Sequence, residues 1–466
     1  METMTIGGRA VEGAGTFGVE NPATGRVFAQ APECSPEQLD EALRAASDAF
    51  PAWRSDEGAR RDLLRAAAKR VEDAADELAA LITAEQGKPL ADARLEVQGT
   101  VAGLRFVADL EVPREVLADD DQARVELLHQ PFGVVAAITP WNFPVAIAGL
   151  KLGPALLTGN TVVLKPSPFT PLSTLHLGGV LRDVLPPGVL NVVSGSDPLG
   201  ARLTAHPVPR KISFTGSVAT GRKVAAAAAD DLKRVTLELG GNDAAILLDD
   251  FDVDALADRL FWGAFLNSGQ VCAAIKRVYV PRRLHDVVVD ALADRARSVV
   301  VGDGTAEGTR LGPLTTRPQF ERVSELVADA LARGATAVTG GGPLDREGYF
   351  FQPTILRDID DGVRLVDEEQ FGPALPVLAY DDVEDAIRRA NATHYGLDGS
   401  VWSADPERAA AVAERLECGT AWLNTHALPH PAVPFGGWKH SGLGVESGVP
   451  GLLAFTESKV LYRVKG

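Results

Sequence analysis

The sequence predicts an α/β protein with two doubly wound sheets. Apolar strand segments alternate with helical segments twice, first between residues 161 and 241 and again after residue 252. Such alternation favours parallel strands joined by right-handed crossovers. The chain has 466 residues, whereas one domain usually contains about 100 to 200 residues. This length agrees with two sheets, each covered by helices.

The first part of the chain is predicted to contain one long helix and two strands. Apolar residues recur three and four positions apart between Ser55 and Gly87, which predicts a helix capped by Ser55 and ended at Gly87. Residues 124–138 are typical of two strands broken at Pro131. A turn between two prolines then leads into a second helix, which is expected to end at Gly159.

The two alternating series follow in chain order. The first is predicted as strand 161–166, helix 171–185, strand 189–195, a short helix after Asp197, strand 211–216, helix 217–229 and strand 234–241. The second is predicted as helix 252–266, strand 276–280, two helices between residues 283 and 333, and strands 336–341, 374–380, 399–403 and 419–424. The chain passes between the sheets near Gly240 and Gly241, so an active site is expected in the cleft beyond the carboxyl ends of the strands.

Charge and composition exclude several classes of function. Asp and Glu outnumber Lys and Arg by 63 to 46, and the net charge of −17 opposes binding to nucleic acid or an anionic membrane. The sequence contains neither a secretory signal nor an apolar run of about 18 residues, so a cytoplasmic protein is expected. Its three cysteines, Cys34, Cys272 and Cys418, form no disulfide pattern.

Cys272 is the candidate nucleophile. It lies in NSGQVCAA, after a predicted helix and before a strand, where a loop presents its thiol at the edge of a sheet. A small buried side chain is the alternative, since free cysteines are usually buried. Cys34 and Cys418 lack this setting and are interpreted as structural.

Two further side chains suit the chemistry of a thiol nucleophile. Asn142 in TPWNFP offers an amide to a developing oxyanion, although it can also cap the helix that follows. Glu238 ends the strand RVTLE, whose apolar residues point the other way, so its carboxyl is expected to face the cleft and to act as a general base. A solvated or ion-paired glutamate is the alternative.

A pair of histidines raises the question of a metal. His426 and His430 are four residues apart in NTHALPHP, but the prolines there exclude a helix and therefore the usual ligand geometry of that spacing. We predict no metal site and interpret the segment as a loop facing the substrate.

The motifs LELGG, GQVC, TPWNFP, KPSP, FTGS, EEQFGP and PFGGWKHSG together resemble the aldehyde dehydrogenase superfamily, in its NAD(P)⁺-dependent, non-acylating form. The resemblance runs from NPATG at residues 21–25 to the C-terminal tail. It implies a Rossmann-like cofactor domain, a catalytic domain and a small β flap for oligomerisation. The domains are then expected at 1–112 with 132–239, at 240–440, and at 113–131 with 450–466.

The resemblance also implies roles for individual residues. Catalytic roles fall on Cys272, Glu238, Asn142, Lys151 and Glu446. Cofactor binding falls on Trp141, Lys165, Ser167, Pro168, Phe214, Gly216, Ser217, Gly221, Glu369 and Phe371. The substrate pocket falls on Phe143, Leu150, Leu266, Val271, Ala273, His430 and Phe435. Leu150, Leu266 and Pro429 stand where the family often has bulkier aromatic residues.

The expected reaction is oxidation of an aldehyde to a carboxylate. Cofactor charge and backbone dipoles are expected to lower the pKa of Cys272, which forms a thioester that Glu238 hydrolyses. NAD is the expected cofactor and NADP is possible, because Pro168 stands where the family often has a glutamate. A homodimer or homotetramer is expected. The alternatives are a coenzyme A-acylating enzyme, a catalytically silent binding protein of the same fold, and a thiol hydrolase that needs no nucleotide.

Overall fold

The computed structural model describes residues 2–428 and 430–465 and contains two large sheets and two small ones. The strands are β1 Met4–Ile6, β2 Arg9–Val11, β3 Gly15–Asn21, β4 Arg26–Glu33, β5 Glu115–Asp119, β6 Ala123–Pro131, β7 Val134–Ile138, β8 Thr161–Lys165, β9 Leu190–Val192, β10 Lys211–Thr215, β11 Arg234–Glu238, β12 Asp243–Leu247, β13 Ile275–Pro281, β14 Thr336–Thr339, β15 Thr354–Arg357, β16 Ala374–Tyr380, β17 Asp398–Trp402, β18 Thr420–Leu423, β19 Gly442–Leu443 and β20 Thr456–Val464.

The helices lie between these strands. They are α1 Pro36–Trp53, α2 Glu57–Asp73, α3 Ala75–Gln86, α4 Leu90–Asp109, α5 Pro144–Leu157, α6 Leu172–Arg182, α7 Asp197–Ala205, α8 Val218–Ala229, α9 Val253–Phe265, α10 His285–Ser298, α11 Arg317–Ala332, α12 Arg364–Asp367, α13 Val383–Asn391, α14 Pro406–Ala413 and α15 Gly448–Leu453. Short 3₁₀ turns span Leu266–Gly269, Arg282–Leu284 and Lys439–Ser441.

The first large sheet has the order β19-β11-β10-β7-β8-β9-β1-β2, and the second has the order β14-β15-β16-β13-β12-β17-β18. Neighbours from β11 to β9 in the first sheet, and from β15 to β18 in the second, run parallel. The chain crosses from one sheet to the other between β11 and β12, at Gly240 and Gly241. The predicted fold class and crossing point are confirmed.

The predicted long helix is two helices. The Asp56 side chain, not Ser55, accepts the Ala59 N–H at 3.0 Å and caps α2. Ala74 then leaves helical geometry (φ −94°, ψ 12°) and separates α2 from α3. Gly87 ends α3 as predicted, because its φ of +97° and the side chains of Pro22 and Pro313 leave no room for a Cβ.

Strand β12 was not predicted although it lies in the middle of the second sheet. Its residues are buried on both faces: Ala244 and Ile246 enter one apolar core, and Ala245 and Leu247 enter the other. A strand covered on both faces shows no alternation of polar and apolar residues. The polar pair at its start, Asn242 and Asp243, is instead typical of a turn.

The small sheet β5-β6-β20 pairs residues 115–131 with the C-terminal tail. Strand β7 belongs to the first large sheet, so residues 124–138 do not form one strand pair. The outer strand β20 exposes apolar side chains, with Val460 57%, Tyr462 65% and Val464 73% accessible. The role of this sheet in oligomerisation and the domain bounds stay predictions. Of the helices in residues 2–428 and 430–465, none has the length and apolar character that crossing a membrane requires.

Candidate active site

Glu238 and Cys272 come together where the two large sheets meet. Glu238 is the last residue of β11 and is buried, and Cys272 precedes β13 and keeps partial exposure. Each of the two groups affects the pKa of the other, so the thiol and the carboxyl lie close together. Within the described part of the chain, Glu238 Oε1 has no hydrogen-bond partner. A buried carboxylate with a free oxygen beside a thiol can take a proton from the thiol or from a water molecule.

Burial dominates the electrostatics of this pair. It raises the pKa of the Glu238 carboxyl to about 8, with a further contribution from the charge of Glu446. It also raises the pKa of the Cys272 thiol well above its usual range, reinforced by the nearby Glu238, while Lys276 acts in the opposite direction. The surrounding protein groups therefore do not by themselves lower the pKa of Cys272, contrary to what was expected of the local dipoles.

A left-handed turn leads into Cys272. Asn267, Ser268 and Gly269 have φ values of +52°, +56° and +72°. The Ser268 hydroxyl donates to the Gly312 carbonyl at 2.8 Å, and a Cβ on Gly269 would lie 2.4 Å from the Gly372 carbonyl oxygen. Positive φ in non-glycine residues is costly and is held here by neighbouring contacts. The turn sets the direction from which the nucleophile enters the cleft.

Lys276 holds the nucleophile segment in place through three hydrogen bonds. It is buried, and its Nζ donates to the carbonyl oxygens of Val271 and Cys272 at 2.8 Å and of Ala274 at 3.3 Å. Its charge is also the nearest one that favours a Cys272 thiolate. Sequence reasoning missed this residue, because a lysine at the start of an apolar strand carries no motif.

Asn142 faces the nucleophile segment from the first sheet. Its Nδ2 donates to the Gln270 carbonyl at 3.0 Å, and its own carbonyl accepts from Asn267 Nδ2 at 3.1 Å. It does not cap α5, which begins at Pro144 without a side-chain cap. One N–H of the Asn142 amide is therefore used to join the two sheets, and the second remains for an oxyanion.

Two buried charges hold the Asn142 loop. Lys88 Nζ contacts Glu96 Oε2 at 2.6 Å and donates to the Asn142 carbonyl at 2.8 Å. Glu96 Oε1 accepts the N–H groups of Val145 and Ala146 at 2.9 and 3.1 Å, so this carboxylate supplies the missing cap of α5. Sequence reasoning missed this pair, since only the fold brings residues 88 and 96 to residue 142.

Lys151 and Glu446 form a buried ion pair close to Glu238. The distance from Lys151 Nζ to Glu446 Oε1 is 2.6 Å, and the Ser213 hydroxyl donates to the same oxygen at 3.3 Å. Both charges affect the pKa of Glu238. The backbone of Glu446 pairs with that of Phe435 through hydrogen bonds of 2.7 and 2.8 Å. The structure thus brings together all five residues that were predicted to be catalytic.

Several predicted cofactor residues line the carboxyl ends of the first sheet. Lys165 ends β8 and is buried, which lowers the pKa of its ammonium group to about 8. Phe214 lies in β10 and packs its ring over Gly216, and Ser217 caps α8. The N-terminus of this helix presents free N–H groups of the kind that bind phosphate.

Ser167 and Pro168 follow Lys165 and lie at the edge of the predicted cofactor site. Ser167 is buried and accepts the Phe169 N–H at 3.2 Å, while Pro168 is half-exposed. Gly221 has a packing role, because a Cβ there would lie 2.5 Å from Leu239 Cδ2. It allows helix α8 to lie close to the sheet.

The remaining predicted cofactor residues come from the second sheet and from the Asn142 turn. Glu369 Oε1 accepts the Gly241 N–H at 3.1 Å, and a Cβ on Gly240 would collide with the Glu369 carboxyl at 2.1 Å. Burial raises the pKa of Glu369 to about 7. Trp141 and Phe371 meet edge to face with ring centroids 5.3 Å apart. A buried lysine, a helix N-terminus and a carboxylate opposite them fit the ribose and phosphate groups of a dinucleotide.

The predicted substrate residues differ in exposure. Val271 and Ala273 are buried beside it, Phe143 and Leu150 are partly exposed, and Leu266 is 39% exposed. His430 is exposed and accepts the Ala432 N–H at 3.2 Å, and Phe435 is partly buried. Pro429 lies outside the described residues.

His426 does not face the substrate side, contrary to prediction. Its side chain is fully buried, with Nε2 3.6 Å from Asp243 Oδ2. The neighbouring prolines exclude a helix, but they do not keep the side chain on the surface. Cys34 and Cys418 are also buried, and burial raises the pKa of each thiol to about 12, which agrees with structural roles.

Comparison with known proteins shows the family of the chain. The family model described as "Aldehyde dehydrogenase family" matches residues 10–461. The chain is 39% identical over 463 residues to an aldehyde dehydrogenase of Fusarium sp, covering 99% of this chain and 98% of that protein. It is 39% identical over 451 residues to the NADP(+) succinate-semialdehyde dehydrogenase of Escherichia coli, covering 95% and 93%. A solved aldehyde dehydrogenase of Bacillus cereus in complex with NAD+ superimposes with a TM-score of 0.97 at 37% identity, covering 99% and 96%. The chain therefore belongs to the aldehyde dehydrogenase family.

Proposed function

We propose that this protein oxidises an aldehyde to a carboxylate with NAD(P)⁺, through a thioester on Cys272 that Glu238 hydrolyses. The observation that carries the proposal is a partly exposed thiol close to a buried carboxyl whose pKa is raised to about 8. Family membership supports aldehyde oxidation in general.

The first step is attack by sulfur. Cys272 attacks as its thiolate after the thiol proton has passed to solvent water, Cys272 Sγ bonds to the aldehyde carbon, and the carbonyl oxygen becomes an oxyanion. The second N–H of the Asn142 amide and the Cys272 backbone N–H donate to that oxygen and stabilise its charge. Lys276 favours the thiolate through its charge and restrains the loop.

Lys165, the N-terminus of α8 after Ser217, and Glu369 would hold the nucleotide, with Trp141 and Phe371 beside it. When bound, NAD(P)⁺ accepts the hydride that leaves the aldehyde carbon. We propose NAD with NADP as an alternative, because relatives with each cofactor are known: the Bacillus cereus structure holds NAD+, and the Escherichia coli enzyme is named for NADP(+).

Hydrolysis completes the cycle. Glu238 takes a proton from water through its free oxygen, hydroxide adds to the thioester carbon, and the carbon–sulfur bond breaks to release the carboxylate. The buried Lys151–Glu446 pair lies behind Glu238 and can pass the proton onward. Val271, Ala273, Phe143, Leu150, Leu266, His430 and Phe435 are proposed to surround the substrate.

Subunit association is proposed from the exposed apolar strand β20. The edge strand of a sheet, with three exposed apolar side chains, favours pairing with a second copy. A homodimer or homotetramer is expected, which light scattering at micromolar concentration measures directly.

An aldehyde panel tests the reaction. Purified protein is given each aldehyde with NAD⁺ or NADP⁺, with and without coenzyme A, and the product is identified by mass spectrometry. The proposal expects reduced nucleotide and free acid in equal amounts, unaffected by coenzyme A. A coenzyme A thioester as the product, or ester hydrolysis without any nucleotide-dependent oxidation, would contradict it.

A further inference from the structure

We propose that Asp243, Asp398 and His426 bind a divalent transition-metal cation beneath the Cys272 segment. The three residues come from β12, β17 and the loop after β18, and one ligand atom from each lies within 4.8 Å of the others. The distance from His426 Nε2 to Asp243 Oδ2 is 3.6 Å. Two ligands of a tetrahedral ion, each about 2.1 Å from it, stand about 3.4 Å apart, so this spacing suits such an ion.

Within the described residues, each of the three side chains has an oxygen or nitrogen atom that lacks a hydrogen-bond partner. Asp243 Oδ1 accepts the Asp398 N–H at 3.1 Å, and Asp398 Oδ2 accepts Trp422 Nε1 at 2.8 Å. The other oxygen of each carboxylate, and both ring nitrogens of His426, have no hydrogen-bond partner within residues 2–428 and 430–465. A carboxylate with one oxygen fixed by the protein and the other free is the arrangement by which an outer shell orients metal ligands.

Burial makes this arrangement costly without a cation. Asp243, Asp398 and His426 are 3%, 4% and 6% exposed, and an unpaired buried polar atom costs about 1–3 kcal/mol. A divalent ion would neutralise the charge of the two carboxylates and would be coordinated by one ring nitrogen of His426. Two carboxylate oxygens and one imidazole nitrogen suit Zn²⁺ or Mn²⁺, whereas Ca²⁺ and Mg²⁺ prefer oxygen ligands alone.

The neighbouring cations are engaged elsewhere. Lys276 has three N–H groups, and its Nζ donates to the three carbonyl oxygens of Val271, Cys272 and Ala274. Arg277 donates to the carbonyl oxygens of Asn242, Arg389 and Ala390 and to the Tyr279 hydroxyl. Both charges act on Asp243 from a distance, but neither makes a hydrogen bond to its free oxygen.

A small cavity reaches the carboxylates from the other side. It has a volume of about 20 Å³ and is lined by Asp243, Asp398 and Asn242, among others. About 10–15 Å³ already accommodates a water molecule, so a water ligand of the ion has room beside the two aspartates. His430, the other half of the histidine pair in the sequence, is exposed and takes no part.

The position of the site gives the ion a structural role. A Cβ on Gly241 would lie 2.7 Å from both Asp243 Oδ1 and the Cys272 carbonyl oxygen, so the site adjoins the nucleophile segment. A bound ion would fix β12, β17 and the loop after β18 under Cys272, without contacting the reacting atoms.

The test measures metal content and does not depend on the proposed function. Protein prepared without a metal-binding tag is incubated with Zn²⁺, freed of excess by gel filtration, and analysed by inductively coupled plasma mass spectrometry. Wild type is expected to retain one zinc ion per chain, and its melting temperature should rise with zinc. Asp398→Asn and His426→Gln should retain none, since even disturbing an outer-shell partner costs about 10- to 100-fold in affinity.

Two controls exclude other sources of zinc. Cys272→Ala removes the accessible thiol, and His176→Gln removes a half-buried histidine 3.2 and 3.1 Å from Glu2 and Glu77. Both should retain the ion. Wild type that keeps no zinc overturns the proposal, and this outcome needs no variant. Loss of zinc in Cys272→Ala or His176→Gln, or retention by an Asp398→Asn protein with wild-type circular dichroism, overturns it as well.

Discussion

Lys276 lies directly beneath Cys272, and its ammonium group donates a hydrogen bond to the Cys272 carbonyl oxygen at 2.8 Å. The same group holds the carbonyl oxygens of the residue before the nucleophile and of the residue two positions after it. One buried cation thus restrains the nucleophile segment and opposes the rise in thiol pKa that burial causes.

Lys276→Met is expected to lower kcat/KM at neutral pH, because the charge of Lys276 then no longer favours the Cys272 thiolate and the thiolate fraction falls. Removal of the positive charge raises the pKa of Cys272 further, so alkylation by iodoacetamide should begin at higher pH. Lys233→Met is the matched control, since Lys233 is a buried lysine that donates to the Thr204 carbonyl far from Cys272. An unshifted alkylation profile in Lys276→Met would contradict the role.

Lys88→Met is expected to destabilise the protein by about 3–5 kcal/mol, because it leaves the Glu96 carboxylate buried without its partner. The Asn142 turn should loosen at the same time, since its carbonyl loses a hydrogen bond. Urea unfolding followed by circular dichroism measures the change. Lys69→Met, which removes an exposed ion pair with Asp73 in α2, should leave the midpoint unchanged. A Lys88→Met midpoint equal to that of wild type would show that the pair contributes little.

Hydrolysis of the thioester is expected to accelerate as pH rises through about 8. Burial raises the pKa of Glu238 to that value, and only the ionised carboxylate accepts a proton from water, so the active form increases above the pKa and is lost below it. Stopped-flow measurement of reduced nucleotide separates this step from the oxidation that precedes it.

Glu238→Gln should remove that pH dependence and slow hydrolysis by about 10²- to 10⁴-fold, leaving a burst of reduced nucleotide before a slow steady state. Glu85→Gln is the control, because burial also raises the pKa of Glu85 to about 8 but its carboxyl caps α6. A steady state without a burst in Glu238→Gln, with wild-type pH dependence, would assign the base elsewhere.

The choice of nucleotide is expected to depend on Pro168, which is half-exposed between Ser167 and Phe169. A carboxylate there would repel a 2′-phosphate, whereas loss of one neutral hydrogen bond to a 2′-hydroxyl changes binding by only about 1 kcal/mol. Wild type should therefore use both nucleotides with some preference for NAD⁺, and Pro168→Glu should depress kcat/KM for NADP⁺ far more than for NAD⁺. Pro168→Gln controls for shape without charge. A wild type absolute for NAD⁺ would show that another group excludes the phosphate.

Local sequence predicted much of the fold and the residues of the site. Strands such as β8 and β10 were found because short apolar runs between turn signals alternate with helical segments, and Cys272, Glu238 and Asn142 were found because each lies in a recognisable motif. Strand β12 was missed because burial on both faces removes the alternation that marks a strand. The break at Ala74 was missed because the apolar spacing continues through it.

Residues that act through the backbone of another segment were not predictable. Lys276, Lys88 and Glu96 bind carbonyl or amide groups that any residue can offer, so the partner sequence contains no signal. His426 was expected on a loop facing the substrate, and only the approach of β12 and β17 shows that it is buried beside two carboxylates. Contacts between distant segments need the assembled fold.

Mass spectrometry of the trapped intermediate tests the central claim most directly. Glu238→Gln protein is mixed with aldehyde and NAD⁺, quenched in acid within the burst, digested and analysed. We predict an acyl group on the Cys272 peptide, in an amount equal to the burst of reduced nucleotide. The double variant that combines Glu238→Gln with Cys272→Ala should show neither the adduct nor the burst. The control double variant, Glu238→Gln with Cys34→Ala, should keep both the adduct and the burst. Continued reduction of NAD⁺ by the Cys272→Ala protein, or an acyl group on Cys34 or Cys418, would contradict the account.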